Sequence, residues 1–86
     1  MRLVFTSHGW ADYCAWQRLD RAVLKRINRL IDDCLRDPFD GIGKPERLKY
    51  GLPDAYSRRI TEEHRLVYLV EGEDVIVLQC RYHYEK

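Results

Sequence analysis

The spacing of apolar residues near the N-terminus predicts a strand followed by a helix. Residues 3–6 form a short apolar run that is typical of a strand. Thr6 or Ser7 then offers a hydroxyl N-cap for a helix. One face of this helix carries Trp10, Tyr13, Cys14 and Gln17. We expect its aromatic side chains to pack in the core and not to bind a ligand.

A second, longer helix is predicted from about Arg21 to Arg36, with Asp20 as its N-cap. Its apolar residues recur at helical spacing and are Leu24, Ile27, Ile31 and Cys34. Its charged residues are expected to face water and are Arg21, Lys25, Arg26, Arg29, Asp32 and Asp33. Because Arg29 is followed one turn later by two acids, a solvated face is favoured over a second nucleic-acid surface. Asp37-Pro38 ends the helix.

The C-terminal half alternates in the manner of strands and is punctuated by turn residues. Two prolines and two glycines make residues 38–45 an ordered connecting loop. Strands are predicted at residues 56–61, 64–70 and 75–82, with a brief one at 46–49. Turns fall at residues 51–54, near 62–64 and at 71–74. The last strand is apolar on both faces in its first half, so we expect it to lie inside the sheet.

This order of elements predicts an α+β fold. Two N-terminal helices pack on one face of a twisted, mainly antiparallel sheet, and the opposite face is left partly open. With 86 residues, the chain is long enough for one core and too short for two. Residues 1–86 are therefore expected to form a single domain.

Composition excludes several classes of protein. The chain is 45% hydrophobic and 34% charged, as in an ordinary soluble globule. No apolar run approaches the roughly 20 residues of a membrane span, and the run at the N-terminus is too short for a signal peptide. A cytoplasmic location without membrane contact is therefore expected. Cys14, Cys34 and Cys80 lack metal-ligand spacing and are expected to pack in the core, and neither a metal nor a cofactor is expected.

The net charge is only +1, yet cations are concentrated in one part of the chain. They are Lys44, Arg47, Lys49, Arg58, Arg59 and Arg65. Within the alternating stretch from Ser57 to Tyr68, they predict a sheet face that is polar and basic. Solvated charges that discourage edge-to-edge aggregation are one explanation of such a face, and a surface for phosphates is the other.

Three residues of this half could together cleave RNA by transesterification. The reaction needs a base for the ribose 2′-hydroxyl, a cation for the phosphate and an acid for the departing 5′ oxygen. Glu46, Arg65 and His83 have the chemistry for these roles, in that order. Spacing alone favours simpler explanations: Glu46 as a surface salt-bridge partner, His83 as a surface histidine, and Arg65 in an ion pair with Glu63 or Glu46.

Other residues near these three have less certain positions. If the last strand is regular, Gln79, Arg81 and His83 share a face. His64 is expected in a turn near the site and not as the proton donor. Tyr82 and Tyr84 could stack on bases, although Tyr82 could equally be a core residue.

The residues that carry this chemistry also carry a resemblance to a known family. The motifs are Trp10 with Asp12-Tyr13 and Trp16-Gln17, Lys25-Arg26-Ile27-Asn28, Pro38-Phe39 and Gly41, Gly43-Lys44-Pro45-Glu46 with Leu48-Lys49, the stretch from Ser57 to Tyr68, and Cys80-Arg81-Tyr82-His83-Tyr84. Over essentially the whole chain, the sequence closely resembles the YoeB family of bacterial toxin–antitoxin systems. That family consists of ribosome-dependent messenger-RNA endoribonucleases with the RelE-like microbial ribonuclease fold.

The resemblance implies roles for Glu46 as general base, His83 as general acid, Arg65 as the transition-state arginine, Lys49 and Arg59 as phosphate-positioning cations, and Tyr84 as the residue that orients the substrate. The roles of Lys49, Arg59 and Tyr84 rest on the resemblance alone. It also implies cleavage of mRNA in the ribosomal A site with a 2′,3′-cyclic phosphate product. A YefM-like antitoxin is implied as the partner, and a homodimer is possible.

Two features depart from the family pattern. Glu85-Lys86 follows the His-Tyr pair at which many relatives end, which bears on how Tyr84 is held. Tyr56 stands where tryptophan is common, a change that could loosen the packing beneath the arginines. Two other functions stay open at this stage: a ParE-like inhibitor that binds a protein target without cleaving RNA, and an RNA-binding module that has lost cleavage.

Overall fold

Seven elements follow one another along the part of the chain that the computed structural model describes, which is residues 1–49 and 51–82. They are β1 (Arg2–Phe5), α1 (Ser7–Leu19), α2 (Arg21–Arg36), β2 (Glu46–Arg47), β3 (Ala55–Arg59), β4 (Arg65–Glu71) and β5 (Asp74–Gln79). The predicted order of one strand, two helices and then further strands is confirmed. Three strands are shorter than predicted, because β2 has two residues, β3 ends at Arg59 and β5 ends at Gln79.

The strands form one sheet in the order β1-β5-β4-β3-β2. β1 runs parallel to β5, and the other neighbouring pairs are antiparallel. The prediction of a mainly antiparallel sheet is therefore confirmed, as is the position of the last strand inside it. The helices lead the chain from β1 at one edge to β2 at the other edge.

Side-chain caps define both helix starts where the sequence predicted them. Thr6 Oγ1 accepts a hydrogen bond from the Gly9 N–H at 3.0 Å. Asp20 Oδ1 accepts from the N–H groups of Ala22 and Val23 at 3.0 and 3.2 Å, and the Asp20 N–H itself closes the last turn of α1. Each cap satisfies backbone donors that have no partner inside the helix.

The buried face of α1 differs from the predicted one. Trp10 is 52% exposed, Gln17 is exposed, and the buried positions are Gly9, Ala15 and Trp16. Gly9 explains the difference, because a Cβ atom there would lie 2.4 Å from the Val77 carbonyl oxygen. The missing side chain lets this helix approach β5 closely, which an apolar pattern does not reveal.

The core lies between the two helices and one face of the sheet. It contains Trp16, Ile27, Leu30, Ile31, Cys34, Ile60, Leu66, Tyr68, Val75, Val77 and Cys80. Two of the three cysteines therefore pack in the core as predicted, and Cys14 is half-buried. Burial raises the pKa of the Cys80 thiol to about 12. Neither α1 nor α2 has the length and apolarity that crossing a bilayer requires.

The early end of β5 has an identifiable cause. The Cys80 N–H donates to Asp12 Oδ2 at 3.1 Å, and the Cys80 carbonyl accepts from Trp16 Nε1 at 2.9 Å. Side chains of α1 therefore take both backbone groups that a longer strand would use for pairing. The chain leaves the sheet at this point and turns toward the N-terminus of β4.

Candidate active site

Strand register brings three of the six predicted site residues onto one face of the sheet. The pairs are Glu46 with Ser57, Ser57 with Val67, Val67 with Gln79, and Arg59 with Arg65. Paired residues of antiparallel strands point to the same side, so Glu46, Arg59 and Arg65 share a face. We call it the open face. Residues of opposite parity, such as Leu66 and Tyr68, lie in the core against the helices.

Glu46 and Arg59 are exposed on the open face. They are diagonal neighbours, for which a separation of roughly 7–8 Å is usual. Within residues 1–49 and 51–82, no ion pair involves either side chain. The simpler explanation of Glu46 as a salt-bridge partner therefore finds no support there. The adjacent Arg47 has the ion pair instead, with Asp54 at 2.9 Å.

Arg65 is partly buried and carries an unused donor. Its Nε atom is buried and has no hydrogen-bond partner among the described residues. The ion pair with Glu63 or Glu46 that spacing favoured is not formed in this part of the chain. A buried N–H without an acceptor is costly, because it has lost water and gained nothing in exchange.

Lys49 lies two residues beyond the end of β2 and is exposed. The hydrogen bond from the Leu48 N–H to the Ala55 carbonyl, at 2.9 Å, continues the pairing of this segment with β3. Lys49 has no ion pair in the region described. Strand register does not fix the direction of its side chain, so its role stays a prediction.

Arg58 does not belong to the basic face, contrary to the sequence prediction. It is 0% exposed and points toward the helices, where it donates to Asp33 Oδ2 at 2.7 Å and to Tyr68 Oη at 3.1 Å. Asp33 was predicted to face water, and this too is wrong. Hydrogen bonding by Arg58, together with the Ile42 N–H, lowers the pKa of Asp33 to about 2.

The buried guanidinium also orders the loop that leads to Glu46. Arg58 donates to the carbonyl groups of Asp37, Asp40 and Ile42 at 2.7, 3.2 and 3.1 Å. A few residues on, the Gly43 carbonyl accepts from the Arg59 N–H at 2.7 Å. These hydrogen bonds attach the loop to β3 from the core side. They agree with the prediction that residues 38–45 form an ordered connecting loop.

Tyr56, one of the departures from the family pattern, is well packed. Its ring stacks on Tyr68 with 6.0 Å between centroids and contacts Phe39 at 5.2 Å. The Arg47 guanidinium lies over the same ring at 5.9 Å. The expected loosening beneath the arginines is therefore not seen around this tyrosine.

The C-terminal candidates lie at and beyond the edge of the described structure. His83, Tyr84 and the extension Glu85-Lys86 fall outside the described residues. Arg81 does not share a face with Gln79, because β5 has ended and its guanidinium lies 6.0 Å from the Trp16 ring and 5.1 Å from the Tyr82 ring. Tyr82 is 51% exposed and is not a core residue.

Two features of the surroundings escaped the sequence analysis. Arg26 of α2 donates to the Arg59 carbonyl at 3.2 Å, so a helix cation adjoins the open face. His64 is more than a turn residue, because its Nδ1 accepts from the Tyr82 N–H at 2.7 Å. Neither contact has a local signal, since the partners are 33 and 18 residues apart.

A groove of the described structure lies between β1 and the helices, away from the open face, and is lined by Leu3, Phe5, Trp10, Tyr13, Asn28, Ile31 and Asp32. No group of three or more His, Cys, Asp or Glu side chains in the described residues could hold a metal ion. The side chains of the open face offer a carboxylate beside cations, a combination suited to moving a proton near a phosphate.

Comparisons with known proteins place these residues in a family context. A family model described as "YoeB-like toxin of bacterial type II toxin-antitoxin system" matches residues 5–84. The chain is 57% identical over 84 residues to Toxin YoeB of Streptomyces coelicolor, covering 98% of this chain and 100% of that protein. It is 51% identical over 84 residues to Toxin YoeB of Escherichia coli, with the same coverage.

Solved structures agree with the sequence comparison. A YoeB/ParE toxin from Agrobacterium tumefaciens superposes with a TM-score of 0.93 at 50% identity, covering 98% of this chain and 100% of that one. The YoeB dimer from Staphylococcus aureus has a TM-score of 0.89 at 41% identity and covers 98% of each chain. A heterotetrameric YoeB-YefM toxin-antitoxin complex from the same organism has a TM-score of 0.87 at 41% identity, again over 98% of each chain.

Proposed function

This chain belongs to the YoeB-like toxins of bacterial type II toxin-antitoxin systems, and on that premise we propose that it is a ribosome-dependent endoribonuclease. It cleaves mRNA in the ribosomal A site by general acid–base transesterification and thereby stops translation in the cytoplasm. The observation that carries the proposal is the shared face of Glu46, Arg59 and Arg65, none of which forms an ion pair among the described residues.

In the proposed reaction, Glu46 removes the proton from the ribose 2′-hydroxyl, which attacks the adjacent phosphorus. The bond from phosphorus to the 5′ oxygen breaks, His83 protonates that oxygen, and a 2′,3′-cyclic phosphate remains. Positioned acid and base groups contribute about 10²–10⁴ in rate. Arg65 binds the phosphate oxygens as negative charge develops on them, and preorganised donors of this kind contribute about 10²–10³.

Lys49, Arg59 and Tyr84 complete the proposed site. Arg59 and Lys49 hold phosphates of the bound strand, and Tyr84 orients the nucleotide. Support for Arg59 comes from its position opposite Arg65 with no carboxylate partner in the described region. The proposed roles of Lys49 and Tyr84 rest on the family.

The modest net charge of the chain supports dependence on the ribosome. It is only +1, so the affinity for free RNA is expected to be low. A ribosome that already holds the mRNA would supply the missing binding energy. We also propose a YefM-like antitoxin as the partner and a homodimer as the free state, by analogy with the Staphylococcus aureus YoeB-YefM complex and YoeB dimer.

The experiment that tests this function uses purified protein with ribosomes programmed with a defined mRNA. We expect cleavage in the A-site codon that requires ribosomes, with a cyclic phosphate at the new 3′ end. Arg65→Ala should abolish it. Arg2→Ala is the matched control, because Arg2 is an exposed arginine paired with Asp74 and lies on β1, at the sheet edge opposite β2. Cutting that survives in Arg65→Ala would refute the assignment.

The same preparation separates the two alternative functions. Double-strand DNA breaks with intact messages would support a ParE-like action. Ribosome binding without cleavage, with cleavage restored by deleting Glu85-Lys86, would support an RNA-binding module in which the extension blocks the reaction.

A further inference from the structure

Tyr82 has an unusual backbone conformation directly before the proposed proton donor. Its φ angle is +64°, a left-handed conformation that bulky residues rarely adopt. Such a conformation persists only where the surrounding contacts enforce it. The contacts at Tyr82 therefore fix the backbone of the residue that directly precedes His83 in the sequence.

Two consecutive residues hold the backbone of Tyr82 from both sides. The Tyr82 N–H donates to His64 Nδ1 at 2.7 Å, and the Tyr82 carbonyl accepts from the Arg65 N–H at 3.1 Å. One of these contacts comes from a side chain, and the other comes from the backbone of the proposed phosphate-binding arginine. The path toward His83 is thus tied to Arg65.

The His64 ring is fixed in place for this contact. Its side chain is only 12% exposed, and its ring packs edge-on against Trp16 at 4.8 Å and near Tyr82 at 5.1 Å. Since Nδ1 accepts a hydrogen bond, the ring proton is assigned to Nε2, which lies 3.7 Å from Glu63 Oε1. The Glu63 carboxylate favours the same tautomer, with the proton on Nε2 of His64.

The segment just before Tyr82 is anchored as well. Trp16 Nε1 binds the Cys80 carbonyl and Asp12 binds the Cys80 N–H. Trp16 thus contacts the Cys80 backbone and also His64, the residue that binds the Tyr82 N–H. His64 supplies the last of these side-chain contacts before residue 83.

We propose that His64 is a positioning residue for the proton donor His83. By accepting the Tyr82 N–H, His64 Nδ1 holds the backbone of the residue that is bonded directly to His83, beside the backbone of Arg65. This inference rests on the proposed function, because it assigns His83 to proton transfer. It predicts that the acceptor atom of residue 64, and not its ring or charge, is what catalysis requires.

The variants His64→Asn, His64→Gln and His64→Phe test this requirement. The Asn Oδ1 atom can occupy the position of Nδ1, whereas the Gln amide reaches only the position of Nε2, and Phe keeps the ring without an acceptor. We expect His64→Asn to retain most of the wild-type kcat. The Gln and Phe variants should lose about 10²-fold, as expected for a displaced catalytic group, with KM for programmed ribosomes unchanged.

A double variant distinguishes positioning from a general loss of structure. Because His64 is proposed to act through His83, His64→Phe should cost nothing further in a His83→Ala background. Additive losses in the two backgrounds would overturn the proposal, as would equal kcat values for the Asn and Phe variants. A KM increase at constant kcat would overturn it too.

An amide-exchange measurement keeps the inference separate from the proposed function. In the wild type, exchange of the Tyr82 N–H should be slow. It should become fast in His64→Phe and stay slow in His64→Asn, at equal thermal stability. If exchange behaves in this way but the wild type does not cleave mRNA, the hydrogen bond between Tyr82 and His64 is supported and the proposed function fails. Fast exchange in the wild type would show that this hydrogen bond does not hold the Tyr82 backbone.

Discussion

Arg59 and Arg65 face each other directly across β3 and β4. Like charges at paired positions destabilise a sheet, and neither arginine forms an ion pair with a carboxylate of the described residues. Their placement is therefore unfavourable for folding and favourable for binding an anion between them. Four other arginines, Arg2, Arg36, Arg47 and Arg58, each pair with an aspartate instead.

The facing pair predicts opposite effects on stability and activity. Arg59→Gln should increase the free energy of unfolding by about 0.2–1 kcal/mol, because it removes cross-strand repulsion, while it lowers mRNA cleavage. Urea unfolding and the ribosome cleavage assay measure the two effects. The control Arg47→Gln loses an exposed ion pair with Asp54 and should not gain stability. A destabilised Arg59→Gln would contradict the repulsion argument.

Arg58 and Arg59 are neighbours in sequence with different roles. Arg58→Met should strongly lower the free energy of unfolding, because it removes a fully buried guanidinium whose hydrogen bonds reach Asp33, Tyr68 and the loop carbonyl groups. Arg59→Met, on the open face, should not lower stability, because it removes the repulsion between Arg59 and Arg65. Denaturant unfolding of the two variants makes the comparison. Adding Asp33→Asn to Arg58→Met should recover part of the loss, and no recovery would argue against the ion pair as its cause.

Asp33 should make stability depend on pH in acid. Its folded pKa of about 2 lies below the ordinary value of 3.8 because of Arg58, the Ile42 N–H and Arg36. A depressed folded pKa means that the stabilisation is present above pH 3.8 and is lost as the pH falls toward about 2. Unfolding measured across this range should show a weaker pH dependence in Asp33→Asn than in the wild type. Identical profiles would exclude the linkage.

The cysteines should differ in reactivity. Cys34 and Cys80 are buried, and burial raises the pKa of both thiols, so alkylation at about pH 8 should be slow at both. Cys14 is half-buried and should react first. Mass spectrometry of iodoacetamide-treated protein measures the order, with Cys14→Ser as the control. Rapid labelling of Cys80 in the folded protein would show that the end of β5 opens.

Much of the fold followed from local pattern. The caps at Thr6 and Asp20, the period of α2 and the turn residues predicted the order of elements, and the α+β class was confirmed. Local pattern failed at the buried face of α1, because a glycine carries no hydrophobic signal and its contact with Val77 depends on another element. It also extended the last strand too far, because the contacts of Cys80 come from residues 64 and 68 positions away.

The candidate site, like the fold, was predicted only in part from the sequence. Residue types determined the chemistry: a carboxylate, a phosphate-binding arginine and a histidine suited to proton transfer could be named from the sequence alone. Only tertiary structure decided which arginines face outward. The alternation of side chains along one strand does not predict which way residues of the next strand face, because a turn lies between them. Strand register was therefore needed to put Arg59 and Arg65 on the open face and Arg58 in the core.

The partners of buried polar groups were likewise invisible in the sequence. Arg58 reaches Asp33 across 25 residues and His64 reaches Tyr82 across 18. Such pairs form because an N–H or a charge removed from water needs an acceptor, and the nearest acceptor is set by packing and not by position along the chain. The sequence by itself determined which chemistry was present. The tertiary structure decided which groups found partners, and it left Arg65 Nε without one among residues 1–49 and 51–82.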